Sequence, residues 1–160
     1  MANFLLPIIR DAKPAYQLRN VRTGQLVADT IVPAFESPAR RRGLLGRDSF
    51  PGGSAMIIAP SNAIHTFWMR FAIDVVFVRR NGVVVKVQQS VSPWRVAIAP
   101  LAYAAIELPA GSLRRGDVQV GDVLSLVFSS DATDERCELG RLLATESVEG
   151  MAQVVGGTEV

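Results

Sequence analysis

Histidine, cysteine and lysine are almost missing from this chain of 160 residues, which carries one His, one Cys and two Lys. The single cysteine, Cys137, excludes an internal disulfide and any cysteine-built metal cage. The single histidine, His65, cannot complete a typical zinc set, and neither H-x-x-x-H nor C-x-x-C spacing occurs. The G-x-S-x-G turn of a serine hydrolase and the G-x-x-x-x-G-K-[ST] order of a P-loop are absent too. No uninterrupted apolar run approaches the ~20 residues of a membrane-spanning helix. The opening "MANFLLPIIRDAKP" has no basic region, and its apolar run is broken at Pro7, short of the roughly 7–15 apolar residues of a secretory signal. These absences lead to the expectation of a cytoplasmic protein without membrane insertion, metal or cofactor.

What is present is ordinary for a globular domain: 49% apolar and 20% charged residues, with enough length for one sizeable core. The formal charge of +2 is unevenly spread, since residues 1–130 sum to +7 and residues 131–160 to −5. A basic body suits anionic partners. However, fifteen of the seventeen basic residues are arginine in an alanine-rich chain, as GC-rich coding gives unprompted, and nucleic-acid binding is therefore disfavoured.

From Ala15 onward, short apolar runs alternate with turn chemistry. "AYQLRN" and "GQLVADTIV" read as strands around Thr23-Gly24, and "IDVVFVRR" and "VVVKVQQ" as a hairpin turning at Asn81-Gly82. "ESPARRRGLLG" reads as a short helix with Ser37 as N-cap, Pro38 in the first position and Gly43 or Gly46 at the end. Ala55–Ala59, "YAAIELP" and "DVLSLVF" supply further strands, the last two joined by the turn-rich "AGSLRRGDVQVG". About eight strands and one helix predict a mainly β fold: one compact antiparallel β-barrel or jelly-roll-like sandwich. An α+β arrangement is the alternative. The expected division is an N-terminal extension (1–14), a β-domain (15–129) and a mostly disordered acidic tail (130–160), marginally helical over Glu135–Ala144.

Polar residues concentrate in "IHTFWMRFAIDVVFV", 64–78. If this stretch is extended, alternation places His65 with Phe67 and Met69 on a core-facing row. His65 and Asp74 are candidates for an acid–base pair, which without a further partner is thin support for catalysis, and Asp74 with Glu107 could act as paired carboxylates or hold a cation. Trp68, Arg70, Trp94 and Arg95, with His65 and Asp74, are candidate ligand contacts, because guanidinium and indole groups on loops make stacking shelves. Asp74 and Glu107 lie in apolar strands and need compensation. Arginines are the expected compensators: Arg70 in sequence, or Arg42, Arg47 and Arg95 across the fold. For Glu107, with Arg42 and Arg47, a structural ion pair is favoured. In "ARRRGLLGR", Arg40 and Arg41 are expected in solvent and Arg42 turned inward.

Taken in order, "RRRGLLGR", "AMIIAP", "IHTFWMRFAIDVVFV", "NGVVVKV", "PWR", "AIELPAG" and "VQVGDVL" resemble the domain of unknown function 192 family over roughly residues 25–128. The resemblance implies a single compact, mostly β domain of barrel or jelly-roll type and brings no established activity, cofactor or catalytic set. Members are often secreted or membrane-attached, and with no signal segment read at its start this chain is expected to depart from them there. Ala55 stands where many members carry glycine and Ala72 where proline is common, which loosens the Arg70–Ala72 loop. The expected function is a non-catalytic binding or scaffold module for a small polar or anionic ligand or a protein. The alternatives are a hydrolase-like enzyme using His65 and Asp74, or weak nucleic-acid binding through the arginine-rich rim.

Overall fold

The computed structural model describes residues 3–13 and 15–129. The acidic tail, its marginal helix and Cys137 lie outside the described residues. Among the described residues there are ten strands and three short helices: α1 (Leu6–Arg10), β1 (Tyr16–Asn20), β2 (Leu26–Ala28), β3 (Thr30–Ala34), α2 (Ser37–Arg42), β4 (Ser54–Ile58), β5 (Ala63–His65), β6 (Ile73–Val78), β7 (Val84–Val91), β8 (Val96–Ile98), β9 (Ala104–Pro109), α3 (Ser112–Arg115) and β10 (Leu124–Phe128).

The mainly β class is as expected, but the sheets do not close into a barrel. A five-stranded sheet in the order β3-β4-β9-β6-β7 is accompanied by a three-stranded sheet, β10-β1-β2, and a β5-β8 pair. The β3–β4 pair is parallel, where an antiparallel fold was predicted. "GQLVADTIV" is two strands rather than one: it breaks at Asp29, so β2 pairs with β1 while β3 joins the other sheet. The predicted hairpin is β6–β7. Its turn also joins the two larger sheets, since Leu124 N–H donates to Gly82 O at 2.9 Å and Val84 N–H to Asp122 O at 2.8 Å. Gly82 has φ 85°, and a Cβ there would collide with the Leu124 carbonyl.

Alternation along the central strands divides the core between two faces. Ile57, Val76, Val78, Ile106 and Leu108 face the three-stranded sheet and α3. Leu5 and Ile8, from the segment expected as an extension, pack into that same cluster. Met56, Ile58, Val75, Phe77 and Ala105 face the other way, toward Leu44, Ile64, Met69 and Ala97. The same period puts Glu107, two residues beyond Ala105, on this second face.

Candidate functional site

A cavity of about 670 Å³ opens on the second face, between α2 and the β5–β8 pair, lined by Arg40, Arg41, Arg42, Gly43, Leu44, Ile58, Ile64, His65, Met69 and Glu107 among others. Glu107 is 3% exposed, between register partners Met56 and Val75, neither of them titratable. Its Oε2 is buried without a hydrogen-bond partner. Burial pushes its carboxyl up to about 7. The ion pair favoured for it from sequence is not formed: among the described residues the ion pairs are Arg22–Asp117, Arg22–Asp122 and Arg70–Asp48.

The N-cap position of the helix above this carboxyl is Glu36, not Ser37, which is already helical; no side chain caps it, and Pro38 lies in its first turn. Arg40 reaches back to the Phe35 carbonyl and to Ser37 Oγ. Arg41 and Arg42 are exposed, Arg42 against the expectation that it packs inward, because α2 buries none of its residues. The helix stops at Gly43, at φ 46° and ψ −128°, a region open to glycine alone. A Cβ at Gly43 would stand 3.8 Å from Glu107 Oε2, so the helix end approaches the carboxyl closely. Arg47 lies outside this cavity, on a smaller one of about 350 Å³ that it shares with Arg42, Gly43 and Met56.

His65 is exposed at the end of β5 rather than in a core row. The predicted alternation fails because the strand is three residues long and the chain then turns. Thr66, fully buried, fixes that turn: Thr66 N–H donates to Arg95 O and Trp94 N–H to Thr66 O, while Thr66 Oγ1 donates to Ser92 O and accepts from Arg95 N–H. From His65 an aromatic row runs outward. His65 stacks on Phe67 at 5.1 Å, Phe67 lies 5.8 Å from Trp94, and Trp94 meets Trp68 edge-on at 5.3 Å. Both tryptophans are more than half exposed and have left-handed backbones, φ 61° at Trp68 and 63° at Trp94.

Four of the six candidate contacts, His65, Trp68, Trp94 and Arg95, thus gather in one neighbourhood. Arg70 is apart, pairing with Asp48 in solvent. Asp74 is fully buried on the other face, where it accepts from the amides of Ser90 at 2.8 Å and Leu113 at 3.0 Å. The first bond holds the β7 bulge at Ser90, φ 51°; the second caps α3, whose own N-cap residue, Gly111, has no side chain. The arginine compensators expected for Asp74 are therefore replaced by backbone amides. No group of three or more His, Cys, Asp or Glu stands close enough to hold a metal among the described residues. Gly43 ends α2 as one of the two glycines expected there, but its approach to Glu107 and the turn-fixing role of Thr66 carry no local sequence signal, and Glu107 is not the structural ion-pair member expected. The available signal was an acid on the inward face of "AAIELP".

Among the described residues these features define a small domain of open β-sheets with a sizeable cavity, walled by apolar and polar side chains and charged at floor and rim. The chain belongs to the DUF192 family, described as "Uncharacterized ACR", which matches residues 20–126. No curated protein matches it. Among solved structures it is similar to a protein from Sinorhizobium meliloti 1021 described as a candidate transcription regulator, with TM-score 0.61 and 18% identity over 70% of this chain and 92% of that one. It is also similar to a protein of unknown function from Novosphingobium aromaticivorans DSM 12444, with TM-score 0.60 and 18% identity over 69% and 83%. These likenesses establish a shared fold. Among the described residues no helix is long and apolar enough to cross a membrane.

Proposed function

We propose that the domain is a binding module that seats a small polar ligand in the cavity between α2, β5 and β9. The observation that carries this reading is Glu107, whose buried Oε2 has no partner although the carboxyl lines an open cavity. Unpaired buried acceptors are rare, and leaving one unmade costs about 1–3 kcal/mol. A ligand donor would remove that cost. The cavity is concave and mixes apolar side chains with polar and charged ones in about equal measure, as suits a polar ligand. Native mass spectrometry of protein taken straight from cells tests the reading: a bound small molecule is expected in the wild type and its loss in Glu107→Gln. Identical bare masses for both proteins count against it.

An acid–base enzyme is the second reading, favoured by the Glu107 carboxyl at about 7 on a cavity that His65 also lines. Glu107 takes the place that the sequence gave to Asp74. Nucleic-acid binding, in the direction of the Sinorhizobium protein's description, is less well supported. The α2 arginines border a concave, partly apolar cavity, whereas a nucleic-acid interface would show steep loss of affinity with salt.

A further inference from the structure

We propose that the ligand of this cavity is a small zwitterion, with a nitrogen cation donated to Glu107 at the floor and an oxyanion held by Arg41 and Arg42 at the rim. This rests on the binding reading above and names the chemical class that fits it. At the floor the Glu107 Oε2 is unpartnered, and Ile58, Ile64, Leu44 and Met69 contribute apolar surface to the wall. An ammonium or guanidinium supplies both donors and the charge that an ionised carboxylate lacks there.

The rim has the opposite requirement. Of its arginines, Arg40 is engaged with Phe35 O and Ser37 Oγ, whereas Arg41 and Arg42 enter no ion pair among the described residues. Two exposed guanidiniums on one helical turn suit a carboxylate, phosphate or sulfonate. A ligand with only an anion leaves Glu107 unmatched; one with only a cation meets three arginines on its way in. The stem between the two charges is short and at least partly apolar, to match the wall.

Binding of such a ligand has a proton signature. The titratable and charged groups on this cavity are Glu107, His65 and the arginines at 40, 41 and 42. The register partners of Glu107 on β4 and β6, Met56 and Val75, do not titrate. Below neutral pH the buried carboxyl is protonated, and a cation seated against it displaces that proton into solvent.

The test uses the full chain and two probe sets: phosphoethanolamine with ethyl phosphate and ethanolamine, and 5-aminopentanoate with pentanoate and pentylamine. Amide shifts of Gly43, Leu44 and Ile106–Leu108 report occupancy, and calorimetry near pH 6 in buffers of different ionisation enthalpy reports proton release. In at least one set the zwitterion is expected to bind about tenfold or more tighter than either single-charge analogue. It is also expected to release a proton and to lose its advantage in Glu107→Gln. The double variant Arg41→Ala/Arg42→Ala changes only exposed side chains, keeps the fold, and should abolish the preference from the other end. Anions binding as tightly as zwitterions would overturn the zwitterion class and leave a binding site. No shift from any of the six probes at millimolar concentration would overturn the class and the binding reading together.

Discussion

Asp74 and Glu107, the two acids set in apolar strands, lie on opposite faces of the same five-stranded sheet. Asp74 turns toward α3, where Leu113 N–H donates to it; Glu107 turns toward the cavity under α2. This separation decides which of them is an anchor. Asp74 spends both carboxylate oxygens on backbone amides, whereas Glu107 has a buried oxygen with none.

Asp74→Asn should therefore act on stability. One of the two acceptors becomes a donor facing an N–H, at a cost of about 1–3 kcal/mol. A melting temperature lowered by several degrees, with ligand occupancy of the cavity unchanged, is the expected result. An unshifted melt would mean that Asp74 is not an anchor.

Glu107 makes stability depend on pH in the opposite sense to an ordinary carboxylate. Its folded value of about 7 lies above the ordinary 4.5, so the folded state holds more protons between the two. Stability falls as pH rises through that window and is flat above it, with a loss of up to about 3 kcal/mol from this group. Glu107→Gln should remove the fall and be the more stable protein at pH 8. Chemical denaturation of both proteins at pH 5 and pH 8 measures the difference.

Gly43→Ala should destabilise by about 1–3 kcal/mol, since φ 46° with ψ −128° is closed to a residue with a Cβ. Because the same Cβ would lie in van der Waals contact with Glu107 Oε2, on the side from which a ligand reaches it, ligand affinity should fall as well. A variant that melts like the wild type would show that the α2 terminus relaxes without strain.

Arg22 and Asp122 set the acid limit. The hydrogen bond from Arg22 holds the Asp122 carboxyl down at about 2, with the Gln119 amide and Asn20 helping. The folded value lies below the ordinary 3.8, so this contribution is present above 3.8 and lost as pH falls through about 2. Arg22→Ala should move acid unfolding, followed by circular dichroism, to higher pH.

Trp68 and Trp94 present the reverse case, large exposed rings on left-handed backbones. Such a backbone costs a residue with a Cβ roughly 1–2 kcal/mol, and an aromatic pair returns about 0.5–1.5 kcal/mol. Trp68→Gly should accordingly change stability by no more than about 1 kcal/mol in either direction. A much larger loss in a denaturant melt would mean that the ring supports the fold.

The strands were legible where local chemistry and tertiary setting agree. Asn81-Gly82 between two apolar runs specifies the β6–β7 turn, and "YAAIELP" contains β9. Legibility failed where a distant contact overrides the local pattern. Asp29 marks where one apparent strand is shared between two sheets, because the Asp29 and Thr30 amides donate to Gly53 O. Alternation through Thr66 points His65 to the core, but the Thr66 hydroxyl ends the strand by bonding to residues 92 and 95. The cavity itself could not be read locally, since α2 and Glu107 are more than sixty residues apart in the chain. The chemistry of Glu107 was half legible: its burial follows from its neighbours, but the absence of a partner depends on three elements meeting.

The Asn81-Gly82 turn has a consequence for engineering. Hairpin tips are ordinarily the places where a chain accepts a tag, a linker or new ends. Here the tip is a weld: Gly82 lies against the Leu124 carbonyl and accepts the Leu124 amide, so residues added there would pry two sheets apart.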